Sequence, residues 1–188
     1  DQILLIGPSN KADFYCRILN SDGSEAEQCG NGLRCVARFV HENGLHLRNQ
    51  LSIETPAGVF PVEISDYEHI RLTIPVPDMK SAPLSLQLSS LDTAVNGAAL
   101  SLGNPHFIMQ VADIHQIQTR QIGHAISTHP DFPNGTNVGF MQIINPSYIR
   151  LRTYERGAGE THACGSNACA AVAAGILDGS LQHVVTVE

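Results

Sequence analysis

The sequence predicts an α+β fold of two pseudo-symmetric domains, cut short at both ends, and three observations predict it. Short strand-like runs dominate, and only two segments read as firm helices. A stretch of the chain recurs without gaps: Asp22-Gly23-Ser24-Glu25-Ala26-Glu27-Gln28-Cys29-Gly30-Asn31-Gly32 is echoed by Gly157-Ala158-Gly159-Glu160-Thr161-His162-Ala163-Cys164-Gly165-Ser166-Asn167. In each copy a strand ends, small residues turn, a Glu stands four places before Cys, and Cys-Gly-polar opens a helix, the mark of a duplicated unit. Between the copies, Pro75-Val76-Pro77 and the polar Ser81–Ser90 stretch read as a linker, which divides the chain into domains at residues 1–76 and 77–188.

Each element has its own justification. Ile3–Ile6, Phe14–Leu19, Leu51–Glu54, Val59–Ile64, Ile70–Ile74, Ala98–Leu102, Phe107–Val111, Val138–Ile144 and Ile149–Tyr154 read as strands, several alternating apolar with polar and bounded by Gly, Pro, Asn or Asp. From Gly30 to Asn43, Leu33, Val36, Ala37 and Val40 fall on one helical face, and Asn43-Gly44 supplies a stop. From Cys164 to Leu177 there is no charge on any face, so that helix is expected to be buried among strands. A weaker helical piece is expected around Ile114–Ile122. The chain opens at Asp1 directly into an apolar run and stops at Glu188 inside another, His183 to Val187, which is the basis for reading both ends as incomplete.

Composition excludes several functions. The formal charge is −7, so the basic stripe of a nucleic-acid or anionic-membrane binder is missing. With 43% apolar and 15% charged residues the chain has the balance of a folded domain. Its longest uncharged stretch that is also strongly apolar, Ala163 to Leu177, falls short of the ~20 residues a spanning helix needs, and no signal peptide opens the chain, which points to a cytoplasmic protein. Five cysteines, an odd number in a long chain, argue against a secreted disulfide framework.

The two Cys-Gly turns carry the chemistry. A thiol at a helix N-terminus meets unpaired N–H groups and the positive end of the macrodipole, conditions that lower a thiol pKa from ~8.5 towards ~3.5–7.5. Gly30-Asn31 and Gly165-Ser166 leave backbone N–H groups bare for a carboxylate. Two such turns facing one Cα could remove a proton from one side and return one to the other, which inverts the centre without a metal or cofactor. Cys16, Cys35 and Cys169 read as packed core. A metal site of His162, Cys164 and Cys169 fits none of the usual ligand spacings. His106 follows the Gly103-Asn104-Pro105 turn, where it is either aimed into a cleft or left as an ordinary surface residue. Arg156, next to Glu155 and just before the second Cys turn, reads as a substrate contact in preference to a surface ion pair.

Together, Asn20 to Gly32, Gly103-Asn104-Pro105-His106, Asn137-Val138-Gly139-Phe140 and Glu155 to Ser166 resemble the diaminopimelate epimerase family. The resemblance runs the length of the chain, without the family's opening and closing segments. It implies two domains, each a mostly antiparallel sheet curled around a central helix. It further implies a cofactor-independent epimerase and homodimer that interconverts LL- and meso-2,6-diaminopimelate for lysine and peptidoglycan precursors. By position it makes Cys29 and Cys164 the proton-transferring pair and gives the reacting carboxylate to Gly30, Asn31, Gly165 and Ser166. Asn20, Asn104, Asn137 and Arg156 take the distal end, Gln2 matches a binding Gln, Glu155 contacts ammonium, and His106 and Glu155 tune the thiols. Asn167 stands where the family often has Gly. A proline racemase or hydroxyproline epimerase shares the two-thiol chemistry, but its first turn usually carries His where Asn31 stands. A non-catalytic thiol or metal-binding module is the alternative from another class.

Overall fold

The computed structural model describes residues 2–20, 23–66, 68–79 and 83–188. Asp1, Ser21 and Asp22 of the quoted segments, and the start of the Ser81–Ser90 stretch, lie outside them. The chain forms two compact units, Asp1–Val76 and Pro77–Glu188, each with its own sheet.

The first unit runs β1 (Gln2–Gly7), β2 (Phe14–Asn20), β3 (Glu25–Ala26), α1 (Gly30–Glu42), β4 (Gln50–Thr55), β5 (Gly58–Ile64) and β6 (Ile70–Leu72). The sheet order is β1-β2-β4-β5-β6 with β3 added on β2. Its pairings are antiparallel except β2 with β4, where a parallel neighbour requires a long crossover and α1 supplies it. The α1 stripe of Leu33, Val36, Ala37 and Val40 packs on Cys16 and Ile18 of β2, Leu51 and Ile53 of β4, and Phe60, Val62 and Ile64 of β5. Each large aliphatic side chain buried there is worth ~1.5–3 kcal/mol. Arg38 and Glu42 form an exposed ion pair on the outer face, a contact worth little. Gly44, at φ +65°, ends the helix in the left-handed region that glycine enters without strain.

The second unit runs β7 (Asp78–Met79), β8 (Leu84–Leu88), β9 (Thr93–Ser101), β10 (Pro105–Gln110), α2 (Thr119–Ser127), β11 (Asn137–Asn145), β12 (Tyr148–Glu155), β13 (Gly159–Thr161), α3 (Gly165–Leu177) and β14 (Thr186–Val187). The order is β13-β12-β11-β10-β9-β7, with β14 on β12 and β8 on β9. The two parallel pairs, β10 with β11 and β12 with β14, are spanned by α2 and α3. Strand alternation sends Val138 and Phe140 into a core with Leu86, Leu88, Phe107 and Ile126 of α2, and turns the intervening Gly139 to Asn167 of α3. The two helices therefore cover opposite faces of one sheet. Among the described residues no helix is long and apolar enough to cross a membrane.

Four expectations are corrected. The Ser81–Ser90 stretch is not all linker: Leu84, Leu86 and Leu88 alternate with Ser85 and Gln87 in β8, and Leu86 and Leu88 are buried. The third helix starts at Thr119, not Ile114, and runs on to Ser127; ahead of it Arg152 Nη1 donates to the carbonyls of Ile114 and Ile117, which are therefore not turned to helical partners. Helix α3 buries one face only, through Ser166, Asn167, Ala170, Ala171, Ala174 and Gly175, while Leu177 is 62% exposed. Cys35 and Cys169 are exposed, since each stands on the helix side turned from its sheet, whereas Cys16 is buried.

Candidate active site

Both Cys turns are built alike. In the first unit β2 and β3 pair as a hairpin, Ile18 opposite Ala26 and Leu19 opposite Glu25, and α1 starts four residues after Ala26. In the second, β12 and β13 pair with Thr153 opposite Thr161 and Tyr154 opposite Glu160, and α3 follows. The repeated Glu has a structural reason. Glu25 pairs with Arg17 at 3.0 Å and Glu160 with Arg152 at 2.5 Å, so each Glu ties the short strand to an Arg on the long one. Neither Arg was singled out by sequence; the signal available was its constant offset of eight residues from the Glu.

Cys29 is the N-cap of α1, with extended backbone at φ −145°, and its Sγ accepts from the Gly32 N–H at 3.4 Å. Cys164 is the N-cap of α3 at φ −131°, its Sγ 3.4 Å from Ser166 Oγ. Both thiols are half-buried. Cys16 differs: burial, with the neighbouring Cys29 adding, pushes its thiol up to about 11, so it stays protonated. At the start of each helix the N–H groups of Gly30 and Asn31, and of Gly165 and Ser166, have by position no acceptor within the helix. The Asn31 side chain itself is taken by Arg34.

Strand ends gather the remaining residues within each unit. In the first, Gln2 and Asn20 are partners across β1 and β2, and Gln2 Nε2 donates to Asn20 Oδ1 at 2.8 Å. Asn20 Nδ2 donates in turn to Ser24 Oγ at 3.0 Å. In the second, His106 of β10 lies opposite Asn137 of β11. Asn137 Nδ2 donates to the Pro105 carbonyl at 3.2 Å, and the Arg156 N–H donates to Asn137 Oδ1 at 3.0 Å. Arg156 Nη1 reaches the Asn134 carbonyl at 3.0 Å, and Thr161 donates to Glu155 Oε1 at 2.5 Å. Asn104, His106, Asn137, Glu155 and Arg156 thus lie at one end of the strands of the second sheet.

His106 corrects one of the two sequence alternatives, the surface residue. It is 1% exposed, its Nε2 lies 2.9 Å from Asn104 Oδ1 and its Nδ1 lies 3.2 Å from Asn167 Oδ1. Burial lowers its pKa to about 4; the Asn167 contact opposes this and Arg156 assists it, so the ring is neutral at pH 7. Asn167 was noticed in the sequence only as a departure, although a polar residue inside an otherwise apolar helix is itself a signal. It is fully buried and also donates to the Val138 carbonyl and Thr153 Oγ1, both at 3.0 Å. Among the described residues no group of three or more His, Cys, Asp or Glu could hold a metal ion.

The fold matches solved epimerase-type structures. A hydroxyproline epimerase from Agrobacterium vitis superposes at a TM-score of 0.75, 19% identical, covering 96% of this chain and 61% of that one. A probable proline racemase from Agrobacterium radiobacter K84 superposes at 0.77, also 19% identical, covering 96% of this chain and 62% of that one. Fold and sequence together define an epimerase of the isomerase class. The Diaminopimelate epimerase family model matches residues 1–78 and 98–188. The chain is 42% identical over its whole length to the diaminopimelate epimerase of Thioalkalivibrio sulfidiphilus (strain HL-EbGR7) and 44% identical to that of Chromobacterium violaceum, spanning 72% of each. It belongs to the diaminopimelate epimerase family.

Proposed function

We propose that this chain interconverts LL- and meso-2,6-diaminopimelate by two-base proton transfer, with Cys29 and Cys164 as the exchanging groups. One cysteine, as thiolate, takes the Cα proton, and the C–H electron pair passes into the adjacent carboxylate. The other, as thiol, delivers its proton to the opposite face and is left as thiolate. The centre is inverted and the two sulfurs have exchanged roles, so the reverse reaction uses the same pair. Charge that develops on the carboxylate is met by the N–H groups of Gly30, Asn31, Gly165 and Ser166 at two helix N-termini. Gln2, Asn20, Asn104, Asn137, Glu155 and Arg156 hold the distal amino and carboxylate groups, Arg156 through its two-pronged guanidinium.

The observation that carries this reading is the pair of Cys residues, each capping a helix in the same hairpin-to-helix device. A homodimer is part of the proposal on the family resemblance alone. Incubation of the protein with LL-diaminopimelate and no added cofactor should yield the meso form to equilibrium. Turnover of proline with none of diaminopimelate would replace this reading with the proline racemase one.

A further inference from the structure

We infer that Asn167 is a positioning residue for the proposed reaction: it fixes the tautomer of His106 and moors the first turn of α3, with Cys164, Gly165 and Ser166, to β11 and β12. The inference rests on the proposed function for its catalytic meaning and on the hydrogen-bond network for its geometry.

The network leaves little choice of proton. Asn167 Nδ2 has two hydrogens, one directed to the Val138 carbonyl and one to Thr153 Oγ1. With both used, Oδ1 is the only end left for His106, and it can only accept. The imidazole therefore carries its hydrogen on Nδ1 and donates to Asn167. A neutral ring has no second hydrogen, so Nε2 is an acceptor. The Asn104 carboxamide, 2.9 Å away, meets that acceptor with its NH2 end after a half-turn about Cβ–Cγ. Asn104 is one of the residues assigned to the distal end of the substrate, where an ammonium group must be met by acceptors. Asn167 thus sets, through His106, which end of the Asn104 amide faces the ring.

A second observation points the same way. A Cβ at Gly139 would stand 3.0 Å from Asn167 Oδ1, 3.2 Å from Nδ2 and 2.7 Å from Ile108 Cδ1. The strand is cleared at the place where the carboxamide must enter to reach Val138 and Thr153. Asn167 is the third residue of α3, so its anchorage fixes the backbone donors beside Cys164, and small misplacements there carry large rate penalties.

The test reads the ring nitrogens of His106 by long-range ¹H–¹⁵N correlation, assigned with His106→Gln, alongside steady-state kinetics of the full chain. In the wild-type protein at pH 7, Nδ1 should be protonated and Nε2 bare. Asn167→Gly should move the hydrogen to Nε2 and lower kcat about 10- to 100-fold, with KM changed by less than about threefold. Asn167→Asp keeps the acceptor for Nδ1–H and should hold the tautomer and recover part of kcat. Wild-type His106 protonated on Nε2 overturns the inference even if the variants do not fold. Unchanged kcat in Asn167→Gly, or a loss of kcat with the tautomer unmoved, overturns it as well. A wild-type protein inert towards diaminopimelate defeats the proposed function itself; an active one with the wrong tautomer defeats only this inference.

Discussion

The two Cys turns solve one packing problem in opposite ways. Gly32 and Asn167 occupy the same place, third in the helix after Cys. In the first unit the helix is bare there and the strand fills the gap: a Cβ at Gly32 would stand 3.0 Å from Leu4 Cδ2. In the second the strand is bare, at Gly139, and the helix fills the gap with Asn167. The apolar solution needs only shape, and its neighbours can shift to suit. The polar solution buries a carboxamide that must find every partner, so it fixes orientation as well as distance. The same contrast appears in the Glu ties. Arg17–Glu25 is more exposed than Arg152–Glu160, which Arg120 joins at 3.4 Å.

The strongest challenge to the likeness of the turns is removal of each sulfur. Cys29→Ala and Cys164→Ala should each lower kcat by about 10²–10⁴-fold, checked by meso-diaminopimelate formation. A variant that kept near-normal turnover would show that its turn is not a catalytic copy of the other.

Acid should separate the units next. The folded-state pKa of His106, about 4, lies below its ordinary value of 6.5, so the unfolded chain binds the extra proton between those values. The stability from keeping the ring neutral is complete above about pH 6.5 and is lost as pH falls towards 4, by about 3 kcal/mol at most. Hydrogen exchange at pH 7 and pH 5 should show β10 and the first turn of α3 losing protection ahead of β2 and α1. Equal loss in both units would remove His106 as the acid-sensitive group.

The packing contrast itself is sharpened by two substitutions. Gly139→Ala meets Ile108 Cδ1 at 2.7 Å and the carboxamide at 3.0 Å, and should destabilise by about 1–3 kcal/mol in urea unfolding. Gly32→Ala should cost less, because a Leu4 methyl is the neighbour that must move. The reverse order would contradict the account of the two turns. A smaller effect is expected from Arg156→Lys, which keeps charge but loses the guanidinium fork. KM for diaminopimelate should rise roughly tenfold, the scale of one charged hydrogen bond, with kcat little altered.

Local pattern explains what was legible in the sequence. Period-2 runs such as Leu51 and Ile53, or Phe60, Val62 and Ile64, place β4 and β5, and the stripe from Leu33 to Val40 places α1. The echo located both helix N-caps because Cys-Gly after a hairpin is a short-range signal. Long-range partners were out of reach. Arg152 takes the carbonyls of Ile114 and Ile117, ahead of α2, from 35 residues or more away, and His106 meets Asn167 across 61 positions. β8 is hidden in the sequence because Ser85 and Gln87 read as linker, whereas Leu86 and Leu88, which alternate with them, are buried. An apolar helix read as buried all round turned out to bury one side, since periodicity cannot say how many faces a sheet will cover.

The central claim, two thiols serving opposite faces of one Cα, is tested most directly by solvent isotope. The full chain is incubated with LL-diaminopimelate in D2O, and product and remaining substrate are analysed by mass spectrometry at low conversion. Two-base transfer delivers a solvent-derived proton to the inverted centre, so the meso product should carry one deuterium while recovered LL substrate carries almost none. Product that retains the original hydrogen, or substrate labelled as fast as product forms, would mean that a single base serves both faces and would contradict the account.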